Sequence, residues 1–167
     1  MILATAIPAA RITALLAVPF FAAAWLLAPF LGAGPALLCA ASVLVYPAAH
    51  ISHEFAHAAL YLRLAPPGSL PVTALPTRWN VEIERGALRP AHDILVTLAG
   101  PLAGILVCGL PQALAWVLGA SPAAHLALAP TIVFALQHIG SVLPGTADHA
   151  ALMAALQPET ARPRTGG

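Results

Sequence analysis

The sequence predicts an all-α polytopic membrane protein with about four transmembrane helices. The fourth helix is broken, and a small β-hairpin-like loop joins helices 2 and 3. Three observations predict this class. Of the 167 residues, 60% are hydrophobic and only 8% are charged, with a mean hydropathy of +0.87. Seven basic and six acidic residues are too few to cover a water-soluble fold of this length, which sets aside a soluble Ala-rich bundle. Apolar runs long enough to cross a bilayer recur along the chain, and the arginines are confined to alternate connections.

The first span covers residues 12–31, ITALLAVPFFAAAWLLAPFL, and carries no charge. A secretory signal is the rival reading, because Arg11 precedes the run. The run is too long for a typical signal core, so an uncleaved helix is expected. Gly32 to Pro35 read as a short turn. The second span covers 36–62 and the third 91–118. The fourth covers 124–157, interrupted at Pro144-Gly145 with a break over 144–148. Residues 1–167 therefore read as a single membrane-embedded domain. The closing ARPRTGG is expected to be a disordered tail.

The 63–90 loop is the one substantial polar connection. Within it WNVEIE (79–84) alternates strictly, with Trp79, Val81 and Ile83 on one face and Asn80, Glu82 and Glu84 on the other. That period of two predicts a half-buried strand. The preceding LPVTALP is extended in character, because its prolines disfavour helix. Together they predict a small hairpin at the membrane surface.

With four spans, Arg11, Arg63, Arg78, Arg85, Arg89, Arg162 and Arg164 all fall on one side. The positive-inside rule makes that side cytoplasmic, together with both termini. The chain has no lysine and much alanine, which suggests a GC-rich bacterial genome and hence a bacterial cytoplasmic membrane. A net charge of +1 gives no nucleic-acid footprint, so the expected partners are the lipid bilayer and membrane polypeptides. Cys39 and Cys108 lie in apolar runs and read as buried free thiols.

Against this apolar background, AAHISHEFAHAAL (48–60) is conspicuous. Ionisable side chains inside a span are costly, and they default to a functional reading. His53 and His57 lie one helical turn apart, so both imidazoles project from one face and can chelate one ion. Glu54 lies about 100° round the helix from His53. It is poorly placed as a third close ligand and well placed to reach a water on the metal. Zinc lowers the pKa of such a water toward neutrality, and the carboxylate can take its proton. His57 is six residues inside Arg63, which puts the site about 9 Å along the helix from the cytoplasmic end.

A catalytic zinc usually takes three protein ligands and keeps one position open. The candidates for the third ligand are His50, His138, Asp148 and His149. His50 shares the face of His53 and His57, but three ligands at i, i+3 and i+7 of a straight helix close poorly on one ion. His50 therefore reads as a supporting or structural residue. Asp148 follows the break at Pro144-Gly145, and broken helix at membrane depth is tolerated where it lines a polar cavity. The rival reading of Asp148 is a helix N-cap at the membrane surface.

HEFAH (53–57), LAGPLAG (98–104) and SVLPGTADH (141–149) together resemble the site-2 protease family of intramembrane zinc metalloproteases. The resemblance covers roughly residues 36–157. It implies one zinc ion held by His53, His57 and Asp148, with Glu54 as general base. It also implies that the strand at 79–84, including Trp79, Asn80 and Val81, lies beside the substrate. The implied activity is hydrolysis of peptide bonds in or near transmembrane segments of a membrane protein or peptide. His50, His138, Ser141 and His149 are expected helpers that hydrogen-bond a ligand or an oxyanion. The chain departs from the family pattern at four places, one of them a proline-to-aspartate interval one residue shorter than the common form. Ser141 replaces an asparagine, His149 replaces the glycine after the aspartate, and Gly104 replaces an asparagine after Ala-Gly-Pro. These departures bear on substrate handling and remove no ligand. No PDZ- or CBS-like segment is legible, so a minimal core is expected.

Two rival functions belong to other classes. A catalytically silent member would bind membrane clients without cutting them, and it would have no use for Glu54 as a base. A membrane di-iron oxygenase would need many clustered histidines. Among the seven here, only one tight cluster forms, and a set with Glu54 and Asp148 fits zinc better.

Overall fold

The structure is a computed structural model that describes residues 2–76 and 81–157. The chain runs α1 (Ile2–Leu31), α2 (Ala33–Ser42), α3 (Val45–Leu64), β1 (Thr73–Pro76), β2 (Val81–Glu84), α4 (Pro90–Val117), α5 (Pro122–Ala127), α6 (Ala129–Gly140) and α7 (Ala147–Leu156). Three helical stretches are long and apolar enough to cross a membrane: Ile7–Leu31, Ala33–Leu64 and Pro90–Val117. Trp25, Phe30, Leu106 and Val117 on these stretches are 73–84% exposed, as side chains meeting lipid would be.

Prolines set most of the element boundaries. The turn expected over Gly32 to Pro35 contracts to Gly32 alone, whose φ of +85° suits a residue without Cβ. Gly34 and Pro35 join α2, because a proline in the first turn gives up an N–H that has no helical partner anyway. The second apolar run breaks at Val43–Leu44, which the sequence reading did not anticipate. Pro47 cannot accept the Val43 carbonyl into its ring space, so the chain tightens there into three-residue turns such as Leu44 N–H to Ala41 O at 3.0 Å.

The expected broken fourth span is three short helices. Pro130 clashes in the same way with the Leu126 carbonyl, and the helix divides at Leu128. The expected break at 144–148 instead runs from Ser141 to Thr146, so Asp148 lies inside α7. At about 1.5 Å per residue, the 12 residues of α6 reach only about 18 Å, less than a bilayer core of about 30 Å.

The strand pair is antiparallel, with Thr73 opposite Glu84, Ala74 opposite Ile83, Leu75 opposite Glu82 and Pro76 opposite Val81. Val81 is buried, Ile83 half-buried and Glu84 exposed, which agrees with the alternation. Trp79, Asn80 and the tail ARPRTGG lie outside the described residues.

The hairpin is tied to the helix ends by polar contacts. Arg85 Nη1 donates to Asp93 Oδ1 at 2.5 Å, and Leu88 N–H donates to both Asp93 oxygens at 3.2 Å. The Tyr61 hydroxyl donates to Leu70 O at 2.9 Å and accepts from Gly86 N–H at 3.1 Å. Beneath this latch, Tyr61 packs with Leu88 and Val96. Deeper along α3, Tyr46 and Ala49 pack with Cys108 of α4 and Phe134 of α6. The Tyr46 and Phe134 rings meet edge to face at 5.4 Å. Cys39 and Cys108 are buried free thiols, as the sequence suggested.

Candidate metal centre

The central part of α3 presents His53, Glu54 and His57, which are only 6–7% exposed. The helix persists through these polar residues because Ala56 and the flanking Ala48, Ala49, Ala58 and Ala59 are strong helix formers. His57 Nδ1 lies 2.7 Å from the Val96 carbonyl oxygen. A carbonyl only accepts, so His57 carries its proton on Nδ1 and presents a lone pair on Nε2. That Nε2 is 3.1 Å from His53 Nε2 and 3.3 Å from Asp148 Oδ1, while Asp148 Oδ2 lies 3.4 Å from His53 Nε2. Among the described residues, these three side chains form a group whose ligand atoms all lie within 4.8 Å of one another.

The distances carry a chemical meaning. In a tetrahedral site with metal–ligand bonds of about 2.0–2.1 Å, neighbouring ligand atoms sit about 3.3 Å apart. The observed separations of 3.1–3.4 Å are of that size, with each histidine nitrogen meeting a different oxygen of the Asp148 carboxylate. Electron-rich atoms gathered this closely repel one another unless a cation lies among them. The donor set therefore fits a metal ion, which His53, His57 and Asp148 would hold.

Asp148 reaches the group because of the turn before it. Gly145 adopts φ +96°, which favours glycine. Thr146 caps α7 by accepting from His149 N–H at 3.2 Å. The Thr146 hydroxyl also contacts the Leu143 carbonyl at 2.8 Å and the Ser141 carbonyl. The capping role that rivalled ligation for Asp148 thus belongs to Thr146. Asp148 sits in the first turn of α7, where the helix dipole favours an anion.

The other expected residues divide. Glu54 Oε1 lies 4.0 Å from His53 Nε2, beside the ligand group and outside it. His138 is buried, with Nδ1 3.1 Å from His53 Nδ1. Ser141 donates to the His138 carbonyl at 2.9 Å and lines the cavity. His50 stacks on Tyr46 with ring centroids 6.0 Å apart, away from the ligand triangle. His149 Nδ1 meets the Val142 carbonyl at 3.2 Å and so braces the break. Val81 lines the site cavity, whereas Trp79 and Asn80 fall outside the described residues.

The cavity measures about 790 Å³ and is walled by α3, α4, α6, α7 and the hairpin strand β2. Among the described residues, two buried side-chain polar atoms lack a hydrogen-bond partner, His50 Nε2 and Thr97 Oγ1, and both residues line it.

Sequence reasoning missed the room-making role of two glycines. A Cβ on Gly100 would collide with the His57 ring, and one on Gly104 would stand 2.5 Å from His138 Cγ. Their spacing of four along α4 was visible in LAGPLAG, but what they face was not. Gly104, expected to matter for substrate handling, also leaves the space that the His138 ring fills.

No known protein family, curated protein or solved structure matches the chain.

Proposed function

We propose that the chain is an intramembrane zinc endopeptidase of the site-2 protease kind, cutting transmembrane or membrane-adjacent segments of other membrane polypeptides. In this reading α5–α7 complete a fourth crossing of a bacterial cytoplasmic membrane, and both termini face the cytoplasm. The observation that carries the proposal is the gathering of His53 Nε2, His57 Nε2 and the two Asp148 oxygens at 3.1–3.4 Å, with the Glu54 carboxylate beside it. A structural histidine cluster would not need a carboxylate inside the group and a second, buried carboxylate next to it.

His53, His57 and Asp148 would hold zinc, which, when bound, polarises a carbonyl and makes water a stronger acid. Glu54 then takes a proton from the attacking water and delivers it to the departing amine. The substrate must unwind first, because a helical peptide bond has its backbone groups already paired. Val81 and Ile83 bring strand β2 to the cavity wall, where an extended peptide can be held by strand addition. Ser141, Gly145, Thr146 and Ala147, with Thr97 of α4, line other parts of the same cavity.

The test uses the purified full chain in liposomes with a panel of single-span membrane polypeptides. Wild type is expected to carry one zinc and to cleave. Glu54→Gln is expected to keep the zinc and lose about 100-fold to 10,000-fold in cleavage rate, the range for general acid–base groups. A wild type that binds no zinc removes the metal reading. Zinc binding with no difference in cleavage between the two proteins removes the protease reading and leaves the silent client-binding one.

A further inference from the structure

The two ligating imidazoles are braced in parallel ways. Each turns Nε2 toward the ligand triangle and Nδ1 toward a group on a neighbouring helix. For His57 that group is the Val96 carbonyl of α4. For His53 it is Nδ1 of His138 on α6, at 3.1 Å. Only one proton fits between two ring nitrogens at this distance. A neutral His53 that binds through Nε2 carries its proton on Nδ1, so His138 Nδ1 is the acceptor.

The ring of His138 is confined to that task. It is 5% exposed, and three of its atoms lie 2.5–2.7 Å from where a Cβ on Gly104 would be. Even alanine at 104 would force the ring away. The His53 and His138 rings are tilted by 30° with centroids 5.0 Å apart, so they meet nitrogen to nitrogen rather than face to face. Ser141 further ties the His138 carbonyl at the end of α6.

We propose that His138 is a positioning residue of the metal centre: seated against Gly104, it accepts the Nδ1 proton of His53 and so fixes the tautomer and aim of that ligand. The proposal rests on the metal-site reading above and not on peptide cleavage. It assigns His138 an acceptor's role of the kind that carboxylates or backbone carbonyls commonly fill behind a metal-bound imidazole.

The test measures zinc affinity of the full chain by chelator competition, together with the visible absorption of the cobalt-loaded protein. His138→Phe keeps the ring's bulk and removes the acceptor. His138→Asn places an amide oxygen near the original Nδ1. Gly104→Ala leaves His138 intact and takes its seat. Expected are a 10- to 100-fold loss of affinity and a changed cobalt spectrum for His138→Phe and Gly104→Ala, and near-wild-type behaviour for His138→Asn. Wild-type affinity and spectrum in His138→Phe overturn the proposal, as does an equal loss in His138→Asn and His138→Phe. Should His138→Phe fail to fold, the other two variants decide. The proposal then holds only if His138→Asn keeps the metal and Gly104→Ala loses it. If wild type itself binds no zinc, this proposal and the metal reading fall together. If wild type binds and His138→Phe binds equally, only the proposal for His138 falls.

Discussion

Replacing Gly100 by alanine should damage the metal centre, although the same change at Gly109 on the same helix should help the protein. Gly→Ala inside a helix normally stabilises by about 0.5–1 kcal/mol. Gly109 is the control, because a Cβ there meets nothing within 4 Å. At Gly100 the added Cβ would stand 2.6 Å from both Cδ2 and Cε1 of His57, and closer still to Nε2. Ordinary carbon contacts are about 3.5–4.0 Å, so the ring must retreat by about 1 Å. Metal–ligand distances tolerate only about 0.2 Å, so His57 ceases to be an effective ligand. A loss of at least about 100-fold in zinc affinity is expected, about 2.8 kcal/mol at about 1.4 kcal/mol per tenfold. Overpacking should also lower the stability of the metal-free protein by about 1–3 kcal/mol. Chelator competition on detergent-solubilised Gly100→Ala, Gly109→Ala and wild type measures the first effect, and thermal unfolding after metal removal measures the second. Equal zinc affinity in all three proteins would refute the reasoning, because the His57 ring could not then lie against Gly100 with Nε2 serving as a ligand.

Three more outcomes follow from the same geometry. Asp148→Ala should deplete zinc from the purified protein, read by metal analysis; unchanged content would exclude the carboxylate as a ligand. Thr146→Ala removes the α7 cap and the hydroxyl's contacts across the break, so it should cost about 1 kcal/mol in unfolding free energy and also weaken zinc binding. Neutrality in both measurements would mean that Thr146 does not position Asp148. Asp93→Ala strips the latch of the acceptor that Arg85 and Leu88 share, at a cost of about 2 kcal/mol, and should speed limited proteolysis of the 65–89 loop. Cleavage at the wild-type rate would show that the loop is held by other contacts.

The sequence disclosed the parts of the site that obey a local rule. His53 and His57 are one turn apart on a single helix, so their shared face follows from spacing alone. The alternation of WNVEIE marked a strand, and Val81–Glu84 forms one. Element ends were legible only in part. Pro47 and Pro130 were as visible as Pro144, yet the apolar runs that contain them were read as unbroken spans. What could not be read locally was which groups meet across helices. Val96 acts through a backbone carbonyl, which no side chain announces. Gly100 and Gly104 act by what they lack, and the side chains that fill the space lie on α3 and α6. His50 and His138 looked alike as supporting histidines in an apolar chain. The packing separates them, one against Tyr46 and the other against His53.

The interruption between α6 and α7 is a geometric requirement of this site. His138 and Asp148 are ten residues apart, so on one straight helix they would stand about 15 Å apart along the axis. Here they engage the two nitrogens of a single imidazole. His138 meets His53 Nδ1 at 3.1 Å, and Asp148 meets His53 Nε2 at 3.4 Å. No continuous helix satisfies both contacts. The chain must double back within the residues between them, and Pro144 with the positive-φ Gly145 lets it do so. The exposed ends this creates would be costly in an apolar setting. Ser141 answers the carbonyl of His138, Thr146 the first turn of α7, and His149 the carbonyl of Val142. Two of these three residues, Ser141 and His149, were first noticed as departures from a family pattern. In this fold they hold together the turn that carries the carboxylate to the histidines.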